Sequence, residues 1–232
     1  MKIEILFPEF CNLFGDMSNM FYLKKCLPEA EFIETPLETE PRFVTEEVNL
    51  VYLGPMPERV QERVIEKFMP YRDRIEALIE NGAVFLFTGN ALEVLGDYIE
   101  NEDGSRIKCL GIFPLHAKRD MMNRHNSTFL GRFENSQIMG FKSQFTLAYP
   151  DTDSIALFQV EKGVGLNKKC GFEGVRFRNF FGTYLLGPVL LLNPAFTRYL
   201  LERMGVEVPK LAFEPEMEAA YEKRLKDFHT KT

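Results

Sequence analysis

The sequence predicts an α/β protein: an open, mostly parallel sheet with flanking helices and an antiparallel β extension. Three observations predict it. Strand and helix signals alternate through the N-terminal half of the chain. Residues 83–87 (AVFLF) are apolar without interruption, as a strand buried on both faces of a parallel sheet must be. From residue 104 to residue 160 the helical periods give way to short β-like pieces between turn residues, the texture of an antiparallel segment.

The elements follow in order. Residues 2–7 (KIEILF) read as a first strand and residues 8–16 as a loop closed by Gly15 and Asp16. Ser18 is placed to cap a helix through residue 25. Residues 31–34 form a weak second strand, and residues 49–53 (NLVYL) a better third one, stopped by Gly54-Pro55-Met56-Pro57. Val60, Val64, Ile65 and Phe68 make a helical stripe over 58–68. Pro70 breaks that helix, the period resumes over 71–80, and Asn81-Gly82 ends it. Strand 83–87 enters the tight turn Thr88-Gly89-Asn90, and a helix is expected over 91–98. The β-like pieces are 107–113, 127–133, 137–141 and 154–160. Residues 115–126 read as an inserted, solvated basic loop carrying His116, Lys118, Arg119, Arg124 and His125. Pro194 opens a helix to residue 204, and 214–228 is a charged helix with a solvated face. No repeat, low-complexity tract or linker divides the chain, so a single domain over 1–232 is expected. Its ligand site belongs beyond the carboxyl ends of the strands, at a switch point of the sheet.

Composition narrows the function. The chain has 232 residues, 45% of them hydrophobic and 27% charged, enough for a large buried core. A formal net charge of −6 argues against a nucleic-acid backbone binder. No apolar run reaches the roughly 18 residues that span a bilayer, and residues 1–7 lack the apolar stretch of a signal peptide. A cytoplasmic protein is expected. Cys11, Cys26, Cys109 and Cys170 form no C-x-x-C pair, so no metal site or cofactor is expected. Cys109 and Cys170 each read as a buried small hydrophobe or a surface thiol. With three His and four Cys, the chain has few candidates for nucleophile and base.

The strongest local signal is AVFLFTGNALEVLG, residues 83–96. A buried strand runs into a tight turn and a helix start, the shape of a nucleophile elbow. The tip is Gly89, which suits a strained turn but carries no side chain to attack with. Thr88 is a conceivable nucleophile without a nearby base. An ordinary β-to-α turn, or an anion site on backbone N–H groups at Gly89-Asn90, fits the same pattern. Asn12 and Asp16 read as turn formers.

Four segments resemble a known family. FPEFCNLFGDMSN (7–19), VYLG (51–54), TGNALEVLG (88–96) and FEGVRFRNFFGTYLLGPVLLLNP (172–194) are similar to segments of the class I glutamine amidotransferases of the cobyric acid synthase type. Within that type they resemble most the amidotransferase subunits of lipid II isoglutaminyl synthase. The third looks like I-C-G-G-Y-Q-x-L-G and the last like E-G-V-x-Y-x-N-x-x-G-T-Y-x-H-G-P-x-L-P-x-N-P. Met139-Gly-Phe141 stands near a family G-F-E-N-H, so the likeness runs from residue 3 to about residue 200. It implies a flavodoxin-like amidotransferase fold and glutamine hydrolysis by a Cys–His pair, with ammonia passed to a Mur-ligase-like partner.

The chain departs from the pattern where that chemistry resides. Gly89 stands at the family's nucleophile and Leu186 at its base. Gly54-Pro55-Met56-Pro57 replaces a Gly-rich loop that offers oxyanion donors, and Gln144 replaces the His of G-F-E-N-H. Arg124, in Asn123-Arg124, resembles a family pair that helps hold glutamine. The expectation is a pseudoenzyme, a binding or regulatory subunit with Gly54, Thr88, Asn90, Arg124 and Gln144 as candidate ligand contacts in the former glutamine pocket. The alternatives are an active amidotransferase serving a cell-wall or cobalamin-type substrate, or another enzyme using Thr88 or Asp16.

Overall fold

The computed structural model describes residues 1–230. Its parallel half is assembled from β1 (Lys2–Leu6), α1 (Ser18–Cys26), β2 (Glu31–Thr35), β3 (Leu50–Leu53), α2 (Glu58–Phe68), α3 (Arg72–Glu80) and β4 (Val84–Thr88). There follow β5 (Tyr98–Glu100), β6 (Arg106–Lys108), β7 (Leu115–Arg119), β8 (His125–Phe133), β9 (Ser136–Gln144), β10 (Thr146–Pro150), β11 (Ala156–Lys162), β12 (Phe172–Phe177) and β13 (Phe180–Thr183). The chain then forms α4 (Val189–Leu192), α5 (Pro194–Arg203) and α6 (Glu214–Thr230).

Nine strands form one sheet in the order β2-β1-β3-β4-β13-β12-β11-β8-β9. Neighbours from β2 to β13 are parallel, and those from β13 to β9 are antiparallel. This is the α/β architecture with an antiparallel extension that the alternation predicts. The chain order reverses at β1, which has β2 on one side and β3 on the other. Every residue of β3, β4 and β13 is buried, which explains their unbroken apolar runs. One core lies on each face. Val51, Phe85, Phe87 and Phe180 pack with the inner stripe of α2 and α3, and Tyr52, Leu86 and Phe181 pack with Leu23, Phe196 and Leu200. A second sheet, β10-β7-β5-β6, covers the turn that follows β4. Among the described residues no helix is long and apolar enough to cross a membrane.

Four local expectations are corrected. The helix expected over 91–98 is a short 3-10 segment, Gly89–Leu95, and Tyr98 already belongs to β5. Its carbonyls are claimed from outside: Gln61 Nε2 donates to Asn90 O, and the backbone N–H groups of Leu110, Ile112 and Phe113 donate to Val94 or Leu95. The same bonds end β6 at Lys108 rather than at residue 113. Residues 115–126 are not a loop: 115–119 form β7, paired with β5 and β10, and His125 starts β8. The sequence LHAKR hides a strand because Arg119 and Leu115 share its buried side. Ser18 opens α1 but makes no side-chain cap; instead Asn12 Oδ1 accepts the Met17 N–H at 3.1 Å. α6 has no fully buried residue, in keeping with the solvated face expected of it.

Candidate functional site

The carboxyl ends of the strands enclose a cavity of about 220 Å³. The loop after β1 supplies Leu13 and Phe14, the loop after β3 supplies Pro55–Glu58, and the turn after β4 supplies Gly89 and Asn90. The segment joining β9 to β10 adds Ser143–Thr146, and the segment after β13 adds Tyr184 and Leu186. Arg124, just before β8, completes the wall. The segments after β1, β3, β4 and β13 converge because these strands are parallel neighbours and deliver their carboxyl ends to one edge, while the β9–β10 segment and Arg124 reach the same edge from the antiparallel extension.

Gly89 forms the tip of the turn with φ of +59°. A Cβ added there would lie 2.5 Å from Pro55 Cβ and 3.2 Å from Pro55 Cα, closer than carbon atoms pack. Pro55 therefore occupies the space a side chain at the tip would need. The loop is fixed to the turn by Asn90, whose Oδ1 accepts the Met56 N–H at 3.0 Å while its Nδ2 donates to Met56 O at 2.8 Å. The one N–H between Pro55 and Pro57 is thus already used. Leu186 is buried and faces the same cavity, held by reciprocal backbone hydrogen bonds with Phe141. The positions that the resemblance pairs, 89 and 186, do line one cavity.

Of the candidate contacts, Asn90, Arg124 and Gln144 line this cavity, and Gly54 and Thr88 do not. Gly54 is packed against the Cys11 carbonyl, which a Cβ would meet at 2.3 Å. Thr88 is fully buried beneath the turn, where its Oγ1 donates to Asp16 Oδ2 at 2.5 Å. A hydroxyl so placed has no access to the cavity, and its hydrogen is committed to Asp16. Gln144 Nε2 donates to Thr146 O at 2.6 Å, and its Oε1 has no hydrogen-bond partner among the described residues. Arg124 lies 4.3 Å from the Phe145 ring centroid and donates to Ser143 Oγ at 3.3 Å.

Two buried acids underlie the turn. Asp16, read from sequence as a turn former, is wholly enclosed. Tyr52 Oη donates to the same Oδ2 at 2.6 Å, and Oδ1 has no partner among the described residues. Burial raises the Asp16 pKa to about 6, against the opposing pull of the Thr88, Tyr52 and Asn19 hydrogen bonds. Glu93 accepts from Tyr184 Oη and from Gln61 Nε2, each at 2.8 Å. Burial raises it to about 7, with Gln61, Tyr184 and Arg119 opposing. Arg119, expected in a solvated loop, is instead buried and donates to Gln61 Oε1 and Glu62 Oε1, each at 2.8 Å. No sequence signal marks Asp16, Glu93 or Arg119 as buried, because turn formers and solvated charges have the same local pattern. Cys109 is buried, and burial pushes its thiol up to about 12, while Cys170 is half-buried; neither lines the cavity. Among the described residues no group of three or more His, Cys, Asp or Glu is placed to hold a metal ion.

The mixed sheet with its flanking helices is a fold shared with solved glutamine amidotransferases. A solved glutamine amidotransferase superposes with a TM-score of 0.58 at 14% identity, over 88% of this chain and 99% of that one. The glutaminase domain of Trypanosoma brucei CTPS superposes with a TM-score of 0.50 at 11% identity, over 91% and 98%. Both share the fold. Residues 2–193 match the CobB/CobQ-like glutamine amidotransferase domain, and the chain belongs to that family. Two curated relatives are lipid II isoglutaminyl synthase (glutamine-hydrolyzing) subunits GatD. The Staphylococcus aureus protein is 25% identical over 88% of this chain and 84% of its own length. The Streptococcus pneumoniae protein is 24% identical over 92% and 86%.

Proposed function

We propose that this chain is an amidotransferase-type subunit without glutaminase activity, acting by binding a small molecule in the former glutamine cavity and a Mur-ligase-like partner on its surface. One observation carries the reading: Pro55 stands where a side chain at the tip of the elbow would have to be, 2.5 Å from a Cβ on residue 89. Covalent hydrolysis of an amide needs a nucleophile at the elbow, a base beside it and donors for the oxyanion. Here the tip is Gly89, the paired position is Leu186, and the Met56 N–H in the facing loop is already bonded to Asn90. The cavity walls supply apolar surface from Leu13, Phe14, Pro55 and Leu186, with Asn90, Arg124 and Gln144 as polar contacts.

The test is ammonia release from glutamine by the purified chain, alone and with a Mur-ligase-like partner. No release above that of a Gly89→Ala, Leu186→Ala double variant is expected; release above it would overturn the reading. The pair Gly89→Cys, Leu186→His is expected to stay inactive because Pro55 still obstructs the new thiol. Adding Pro55→Gly should make hydrolysis detectable.

The second reading is an active amidotransferase that supplies ammonia for amidation of a cell-wall precursor or a cobalamin-type substrate. The glutamine-hydrolyzing activity in the names of the two GatD relatives favours it. The same ammonia assay separates the two.

A further inference from the structure

A second recess, of about 260 Å³, adjoins the cavity and shares Arg124 and Phe145 with it. Lys118 and Arg119 at the end of β7, the turn through Asp120 and Arg124, His125 at the start of β8, and Lys168 from the loop between β11 and β12 all line it. In a chain of net charge −6, this is a local concentration of cations, and their partners differ. Lys118 lies 3.0 Å from Glu100 and Arg119 lies 2.8 Å from Glu62. The Asp120 carboxylate is turned to Asn123, accepting from its backbone and side chain. Arg124 and Lys168, both exposed, have no carboxylate partner among the described residues. The His125 Nε2 has no hydrogen-bond partner among them either. Burial holds that imidazole below its ordinary value, and the Lys142 and Lys168 ammonium groups add to the effect. Lys142 is itself buried, with its Nζ on Gly165 O and its charge countered in part by Glu173.

We propose that this recess binds a small multivalent oxyanion of the phosphate class, a phosphate monoester or a pyrophosphate, with Arg124 and Lys168 as its charged contacts and His125 as a third donor when protonated. Two cations without carboxylate partners meet there from separate segments, and a guanidinium fork matches phosphate geometry. The Phe145 and Tyr149 rings lining the recess already have stacking partners, Phe145 under Arg124 at 4.3 Å and Tyr149 on His116 at 5.4 Å. An anion here fixes Arg124, which also walls the first cavity, so occupancy of the recess adjusts that wall. The proposal stands whether or not the chain hydrolyses glutamine.

The test is calorimetric titration with pyrophosphate and with inorganic phosphate at constant ionic strength, on the wild type, Lys168→Gln, Arg124→Gln and, as a control on α1, Lys25→Gln. Saturable one-site binding is expected, weakened about tenfold by each of the first two substitutions and unchanged by the third, a tenfold change being about 1.4 kcal/mol. In parallel, imidazole NMR of the wild type should show the His125 pKa rising on addition of pyrophosphate. Absence of saturation, an equal loss in Lys25→Gln, or an unmoved His125 would overturn the proposal.

Discussion

At the scale of single residues, the site is shaped by what stands against Gly89. A positive φ is open to glycine and costs an L-residue about 1–2 kcal/mol, and overpacking adds about 1–3 kcal/mol. Gly89→Ala is therefore expected to destabilise the chain by about 2–5 kcal/mol in urea unfolding, and Pro55→Gly should recover the steric share in a double-mutant cycle. Additive single effects would show that Pro55 and residue 89 are not coupled. The buried acids set the pH response. Asp16 and Glu93 are raised to about 6 and about 7 in the folded chain. The folded state thus holds protons that the unfolded state releases near pH 4, and stability from these groups falls as pH rises. Unfolding free energy should drop by a few kcal/mol between about pH 4 and pH 7 and level off above, each tenfold gain in a group's proton affinity on folding being worth about 1.4 kcal/mol. Glu93→Gln should flatten the upper part of that fall and Asp16→Asn the lower part. A curve unchanged by both would contradict the assignment.

Between elements, the decisive joint is the one between the loop after β3 and the turn after β4. Asn90 makes both of its side-chain hydrogen bonds to Met56, while Gln61 on α2 holds the Asn90 carbonyl at 2.7 Å. Each such bond contributes about 0.5–1.5 kcal/mol. Asn90→Ala is expected to cost about 1–3 kcal/mol by urea unfolding and to free the 54–57 loop, read as faster amide exchange at Met56. The identity of β1, β3, β4, α2 and α3 is legible in sequence because apolar period and flanking Gly or Pro are local signals. β7 is not: its alternation is carried by Arg119, a charged residue buried only because Gln61 and Glu62 on α2 receive it. The helix expected after Asn90 fails for the same reason, since residues 110–113 take its carbonyls.

Across the whole molecule, protection should follow the sheet. β3, β4 and β13 are buried throughout, whereas β6 is an exposed edge strand of three residues. Hydrogen exchange is expected to open the former only on global unfolding and the latter by local fraying. Equal protection in the two would show that the second sheet is as cooperative as the first. By itself the sequence determined the class of fold, the turn at 88–90, and which residue types stand at 89 and 186, because these depend on neighbours along the chain. Only the tertiary structure decided that both positions line one cavity and that Pro55 fills the space over Gly89. It also decided that Thr88 and Gly54 lie outside the cavity, and that Asp16, Glu93 and Arg119 are buried. Those facts depend on segments brought together at the carboxyl edge of the sheet, and no local pattern records which side chain will meet which across that edge.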